Sequence, residues 1–249
     1  MSKKTGMKRD WHEPLVFIKL SEKRRLCKKI NREIFRTLSC TAKVDVLMQL
    51  ITNLEQLDLN GFYSYADYLR WQFSERVELI KGRIFRMSPA PNRKHQAISI
   101  KLSVYFFQAL QQQTDKLCKV YTAPFDVRLV KNSQGMSDKE VYTVVQPDLC
   151  VICDRSKLDE RGCIGAPDLI VEILSKGNSK KEVETKYELY QENGVREYWI
   201  VFPYEEVIQQ HVLDGEEHYR LRHMYSGDSI ATSVIFPQLS FQAAQIFED

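Results

Sequence analysis

Two short apolar runs carry the acids around which this chain's chemistry turns. They are Gln146-Pro-Asp-Leu-Cys-Val-Ile152 and Ala166-Pro-Asp-Leu-Ile-Val-Glu-Ile-Leu174. Pro147 and Pro167 cannot donate a ladder hydrogen bond and so suit strand entries, and the residues after them are β-branched or bulky. Runs this apolar belong to central strands covered on both faces. An unpaired carboxylate there costs several kcal/mol, so Asp148, Asp168 and Glu172 need hydrogen bonds, cationic partners or a metal. Alternate strand residues share a face. Asp168, Ile170, Glu172 and Leu174 therefore point one way, and Asp148 shares its face with Cys150 and Ile152. If the two runs are neighbouring strands, Asp148 and Glu172 meet at one end of the sheet. Converging carboxylates raise each other's pKa unless a cation lies between them, and Mg²⁺, a hard ion, takes oxygen ligands of this kind.

An amine follows. Ser179–Glu192 reads as a helix with Ser179 and Glu182 at capping-box spacing and Asn193-Gly194 as its stop. Val183, Tyr187 and Tyr190 define its apolar face, and Lys186 falls inside that arc, while Lys180, Lys181, Glu184 and Glu188 face solvent. A lysine turned inward needs an acidic partner, or it snorkels or loses its proton. Packed over the strand of Glu172, it reaches the carboxylates. Metal, carboxylates and ammonium together are what phosphodiester hydrolysis needs.

Structural readings stand beside these. Asp148 could be a strand-entry residue bonded to nearby backbone, and Asp168 is read that way, with support of the site as its alternative. Glu172 and Lys186 could form a buried salt bridge without catalysis. Glu78 could be solvated, Glu182 reads as a cap, and His95 either reaches the site or faces solvent. Cys150, Cys153 and Cys163 lack the second pair that a zinc site needs. Six cysteines without a secretory signal read as reduced thiols in a cytoplasmic protein.

The elements that must position these groups follow in order. Val44–Leu57 reads as a helix, and Ser64 caps a short one through Ala66–Arg70. Arg76–Ile80 and Arg83–Met87 flank the tight turn Lys81-Gly82, and Ser88–Asn92 closes the hairpin. His95–Gln113 is a long helix buried along Ile98, Leu102, Tyr105, Phe106 and Ala109. Strands are expected at 119–121, 125–130, 144–152, 168–174 and 197–202, with a meander from Val207 onward. That order argues a mixed α/β domain.

Charge is unevenly spread. Residues 1–50 hold thirteen Lys/Arg against five Asp/Glu, a net +8 in a chain of net +3, so the remainder is mildly acidic. Leu20–Leu38 reads as a basic amphipathic helix, either a nucleic-acid arm or a solvated tail. The turn to ordinary composition near Met48 makes that residue a candidate true start, which an intact mass of the native protein would test. No stretch approaches the roughly 18 apolar residues of a membrane span.

The ordered motifs resemble the PD-(D/E)XK restriction-endonuclease-like superfamily and, within it, the Uma-two family. The matching text is Tyr65–Leu69, Val77–Ile80 with Gly82, Met87–Pro91, His95, Gln146–Leu149, Pro167–Ser175, Lys186 with Tyr190, and Gly194–Val201. The resemblance spans about Gly61 to the C-terminus. It implies a restriction-endonuclease-like α/β core over residues 59–249, with a central mixed β-sheet flanked by helices; residues 1–58 fall outside the resemblance and read as a basic, partly helical or disordered extension. It also implies a DNA endonuclease in which Asp148 and Glu172 bind Mg²⁺ (or Mn²⁺), with Glu78 as a further acid of the site. Lys186 would replace the lysine usually found two residues after the second acid, a position held here by Leu174. Superfamily members are often dimers, so the extension could serve a homodimer instead of DNA. A silent nucleic-acid-binding or assembly module with this fold, or a nuclease acting on RNA or structured nucleic acid, are the alternatives.

Overall fold

The computed structural model describes residues 50–87, 92–113, 117–131, 136–177 and 179–248. The chain divides between Gln49 and Leu50, and the following concerns the second unit. The basic helix expected over Leu20–Leu38 and the hairpin closure over Ser88–Pro91 lie outside the described residues.

Strands β1 (Val77–Ile80) and β2 (Arg83–Arg86) form the expected hairpin. Lys81 and Gly82 both have positive φ, 49° and 76°, as a two-residue turn matched to strand twist requires. Next come α1 (Tyr65–Tyr68, upstream of the hairpin) and α2 (Arg93–Gln111), then β3 (Lys119–Thr122), β4 (Asp126–Arg128), β5 (Val144–Val145) and β6 (Leu149–Ile152). They are followed by β7 (Leu158–Asp159), β8 (Gly162–Ile164), β9 (Leu169–Ile173), α3 (Lys180–Glu192), β10 (Glu197–Phe202), β11 (Val207–Leu213) and β12 (Tyr219–Ser226). A small pair, β13 (Ile230–Thr232) with β14 (Ser240–Gln242), and α4 (Ala244–Phe247) end the chain. Two six-stranded sheets result, ordered β2-β1-β5-β4-β8-β7 and β12-β11-β10-β9-β6-β3. Both are mixed: β4 with β8, and β9 with β10, run parallel among antiparallel neighbours. No helix among the described residues is long and apolar enough to cross a membrane.

Strand alternation distributes the core. Leu149, Val151, Leu169, Val171, Trp199 and Val201 pack against the α2 stripe Ile98, Leu102 and Phe106. The opposite residues, Cys150, Ile152, Ile170, Tyr198 and Ile200, pack with Leu189 and Tyr190 of α3 and with Ile80, Val127 and Val145 of the first sheet. Glu172 belongs by alternation to this second face, between α3 and the first sheet.

Four expectations need correction. The single strand expected over 144–152 is two strands in two sheets, β5 and β6. Pro147 has no N–H to continue a ladder, and the neighbouring N–H of Gln146 goes to Glu78 Oε1 at 2.9 Å. Gln146-Pro147-Asp148 is thus the crossing between the sheets. Residues 153–165, where no strand is expected, contain β7 and β8, two and three residues long and below the length a sequence pattern reveals. There Gly162 (φ 136°) lies so close to β4 that a Cβ would stand 2.2 Å from the Asp126 carbonyl oxygen.

The helix expected over Val44–Leu57 is, in its described part, a bridge of Ile51 to Trp71 and a single 3₁₀ turn, Leu54–Gln56. Asn53 Oδ1 accepts from Glu55 N at 2.8 Å, the local capping that competes with helix continuation. Finally, Cys118 and Cys153 are joined as a disulfide instead of staying reduced. Lys119 pairs with Ile152 across β3 and β6, so the next residues outward face each other at the reach of a cross-strand pair. Cys150 and Cys163 are free and buried.

Candidate active site

Antiparallel register sets the acids. Leu149 opposes Val171, which places Asp148 beside Glu172 at one end of β6 and β9, as expected for neighbouring strands. Asp148 Oδ2 accepts from Ile173 N at 2.7 Å, tying the crossing segment to β9. It also meets His95 Nε2 at 3.2 Å. His95 stands in the first turn of α2, whose start is fixed by Asn92 Oδ1 accepting from His95 N at 3.0 Å. Its imidazole, left open by sequence, reaches the site, and the residue is buried.

The first sheet delivers Glu78. It sits on β1 with 4% exposure, buried and not solvated. Its Oε1 accepts from Gln146 N and, at 3.1 Å, from Lys186 Nζ. Lys186 projects from α3, whose capping box between Ser179 and Glu182 is formed as expected. The ammonium also bonds Glu172 Oε1 at 2.8 Å, so one amine ties the two sheets together. One helical turn later Tyr190, at i+4 and hence on the same face, donates to Glu172 Oε1 at 2.6 Å.

Three carboxylates surround one ammonium, and the proton affinities follow. Burial raises Glu172 most; Lys186 opposes this, Asp148 and Glu78 add to it, and the carboxyl is pushed up to about 7. Burial works against the charge on Lys186, but Glu172, Glu78 and Asp148 outweigh it and hold the lysine protonated. Burial likewise lowers His95, yet its bond to Asp148 and the charges of Asp148 and Glu172 leave it above its ordinary value. Tyr190 is raised well above its usual range by burial and then by Glu172, so it remains a donor.

The hydrogen bonds fall on one oxygen of each acid: Oε1 of Glu78, Oε1 of Glu172 and Oδ2 of Asp148. The second oxygens bond to nothing among the described residues, and the buried Nδ1 of His95 is without a partner. Among the described residues no three His, Cys, Asp or Glu side chains stand as a ready metal cage. A Mg²⁺ site of one or two carboxylates completed by water and phosphate needs no such cage. The free oxygens of Asp148 and Glu172 supply that donor set, and the excess negative charge around Lys186 favours a further cation. The residues fit a hard divalent ion.

A cleft opens over this cluster, with Arg76 and Arg86 from either side of the hairpin on its wall. Arg76 is held by Gln146 Oε1 at 3.2 Å, and Gln146 in turn donates to Asp126 Oδ1 at 2.8 Å. Neither arginine is paired with a carboxylate among the described residues, although four acids, Glu78, Asp148, Glu172 and Glu182, line the cleft. Sequence reading passed over both, because their placement depends on the hairpin and crossing segment packing together. Tyr190 had a legible signal in its i+4 spacing from Lys186.

Asp168 lies elsewhere. Four strand residues before Glu172, about 13 Å at 3.3 Å each, it accepts from Cys153 N at 2.8 Å and from Arg196 at 3.0 Å. It clamps β6, β9 and β10, the structural role expected for it.

A fold match extends over 74% of this chain and 97% of its counterpart at a TM-score of 0.55 and 20% identity. That counterpart is described as "a putative nuclease belonging to DUF820" from Anabaena variabilis. A Synechocystis sp. protein named "Uncharacterized protein slr1290" is 27% identical over 140 residues, 55% of this chain and 67% of its own length. The family model Uma2, described as "Putative restriction endonuclease", matches residues 65–244, a span that contains Glu78, His95, Asp148, Glu172 and Lys186, and the chain therefore belongs to that family.

Proposed function

We propose that this protein is a divalent-cation-dependent endonuclease that hydrolyses phosphodiester bonds in DNA. The observation that carries this reading is the Lys186 ammonium bonded to acids from two sheets, Glu78 and Glu172, with Asp148 adjacent. A salt bridge that served only stability would match its charges; here three carboxylates surround one ammonium, in a cleft whose Arg76 and Arg86 have no carboxylate partner among the described residues.

In this reading Asp148 and Glu172 hold Mg²⁺ or Mn²⁺ through their free oxygens. Bound there, the ion would supply Lewis acidity toward a phosphoryl oxygen and lower the pKa of water. Glu78 anchors Lys186 and completes the acidic site. Lys186, kept protonated by its neighbours, stabilises the charge that accumulates on the phosphorane. His95 and the Ile173 N–H fix the Asp148 carboxylate from opposite chain segments, so that its free oxygen has one orientation. Arg76 and Arg86 bind phosphates flanking the cleaved bond, giving a salt-sensitive affinity.

The test is plasmid nicking with Mg²⁺ or Mn²⁺, with EDTA as control. Wild type is expected to nick, and Asp148→Asn to lose activity by at least about 100-fold, the scale of removing one electrostatic stabiliser. Equal nicking by both proteins places the chemistry elsewhere. Salt-sensitive DNA binding by wild type without any nicking favours the silent-module alternative.

A further inference from the structure

The cleft does not end at Asp148. It continues into a second, larger groove that shares Arg76, His95 and Asp148 with it and runs between α2 and the edge strand β3. Along α2 this groove presents Ile100, Val104 and Phe107, which are 63%, 48% and 55% exposed. Their spacing places them on one face, turned away from the buried stripe of Ile98, Leu102 and Phe106. The amides of Gln96 and Gln108 and the hydroxyl of Ser99, interleaved with them, bond to nothing among the described residues. Among the described residues Arg76 is the one arginine or lysine in the groove lining, with His95 beside it at the mouth shared with Asp148.

That chemistry separates two kinds of nucleic acid. Duplex affinity comes from cations meeting phosphates, which recur every 3.4 Å along each strand. From Gln96 to Phe107 the helix runs about 16 Å at 1.5 Å per residue, so a duplex strand laid there would set about five phosphates against a single arginine. Unpaired bases instead present flat apolar faces and polar edges, and aromatic side chains flanked by hydrogen-bonding groups receive them. The single arginine stands where the groove joins the acids, at the place a phosphate must occupy.

We infer that this groove is a nucleobase subsite, which receives the unpaired bases next to the cleaved phosphate, so that the substrate is single-stranded DNA or a duplex with an unpaired segment. The inference rests on the nuclease reading above and narrows its substrate. A second copy of the chain seated on the same apolar face is the competing occupant. It would cover the mouth shared with Asp148 and His95, closing the site from that side.

The experiment pairs binding with cleavage in the full-length protein. Fluorescence anisotropy in EDTA measures affinity for a mixed-sequence single-stranded oligonucleotide and for its duplex, with wild type and Phe107→Ala; Mn²⁺ is then added and cleavage followed. Sedimentation velocity and circular dichroism of both proteins report assembly and folding. The expected result is tighter binding of the single strand by wild type. Phe107→Ala, an exposed position, should lose about tenfold or more of that affinity, a base-stacking effect, with duplex affinity unchanged. Equal single-strand affinity in wild type and variant overturns the subsite, and so does a dimer that Phe107→Ala dissociates. Phe107-sensitive binding with no cleavage in Mn²⁺ overturns the nuclease reading and leaves the groove standing. Cleavage with Phe107→Ala neutral does the reverse.

Discussion

Glu172 and Glu197 are two buried glutamates on adjacent parallel strands, 8% and 0% exposed, and they show opposite ways of burying a carboxylate. Glu197 uses both oxygens. Trp199 Nε1 and Gln210 Nε2 donate to Oε1 at 2.7 and 2.6 Å, while Ser233 Oγ and the Val234 and Ile235 N–H groups donate to Oε2. All five donors are neutral. Glu172 uses one oxygen, shares its ammonium with Glu78, and has Asp148 beside it. A saturated carboxylate is architecture, tying β10 to the chain segment that follows β13. A half-saturated one among like charges keeps capacity in reserve for a ligand.

The largest expected effects test that contrast directly. Glu172→Gln keeps shape and an acceptor for Lys186 and Tyr190 but removes the anionic oxygen. Plasmid nicking should fall by on the order of 100-fold or more. The melting temperature should hold or rise, since one of three crowded acids is gone. Glu197→Gln turns an NH₂ toward donors, a loss of about 3 kcal/mol for hydrogen bonds to a charged group. In a domain of this size that is a fall of about 6–12 °C, with nicking per folded molecule preserved. A Glu197→Gln protein that melts normally and does not nick would erase the distinction.

Metal removal sharpens the same comparison with a smaller effect. A divalent ion that binds only the folded site stabilises by about 1.4 kcal/mol at ten times its dissociation constant. Wild type and Glu197→Gln should both gain about 3–6 °C on adding Mg²⁺ and lose it to EDTA. Glu172→Gln and Asp148→Asn should gain nothing. Differential scanning calorimetry reads this without any nucleic acid, so a Mg²⁺ shift surviving in Glu172→Gln would refute the assigned ligands whatever the substrate.

These differences explain what the sequence could show. Glu172 and Lys186 were legible because local periodicity governs them: a mid-strand acid in an apolar run, and an amine inside a helical apolar arc fourteen residues later. The fold followed from the same periodicities and from the Lys81-Gly82 and Ser179–Glu182 signals. Glu197 was illegible as a structural carboxylate because its acceptor role is completed by groups 13 and 36 to 38 residues away. His95 was ambiguous for a similar reason: α2 packs on the face of the sheet opposite to α3, and its first turn reaches Asp148 in the crossing segment ahead of β6. The break at Pro147 was hidden because apolar residues, Val144-Val145 and Leu149-Cys150, stand on either side of Gln146-Pro147-Asp148, so that 144–152 reads as one run.

The two Pro-Asp-Leu motifs give a milder test. Their local sequences are alike, yet antiparallel pairing of β6 and β9 sends their acids to opposite ends. Asp168→Ala removes an acceptor from Cys153 N and from a half-exposed Arg196, at a cost of about 1–2 kcal/mol. Chemical denaturation should register that loss, while nicking per folded molecule stays at the wild-type level. Sensitivity of nicking to Asp168→Ala equal to that of Asp148→Asn would mean that the clamp end also shapes the site.

The smallest effect belongs to the cleft wall. Arg86 is exposed and has no acidic partner among the described residues, so replacing it disturbs neither core nor salt bridge. Its role in the proposed reading is one phosphate contact and nothing more. Arg86→Ala should therefore weaken DNA binding by a few-fold at 0.1 M salt and reduce the slope of log affinity against log salt by about 1. The melting temperature and the Mg²⁺ shift should not change. A variant with an unaltered salt slope would show that the polyanion does not lie along this wall, and would assign its electrostatic contacts to other cations than the hairpin's.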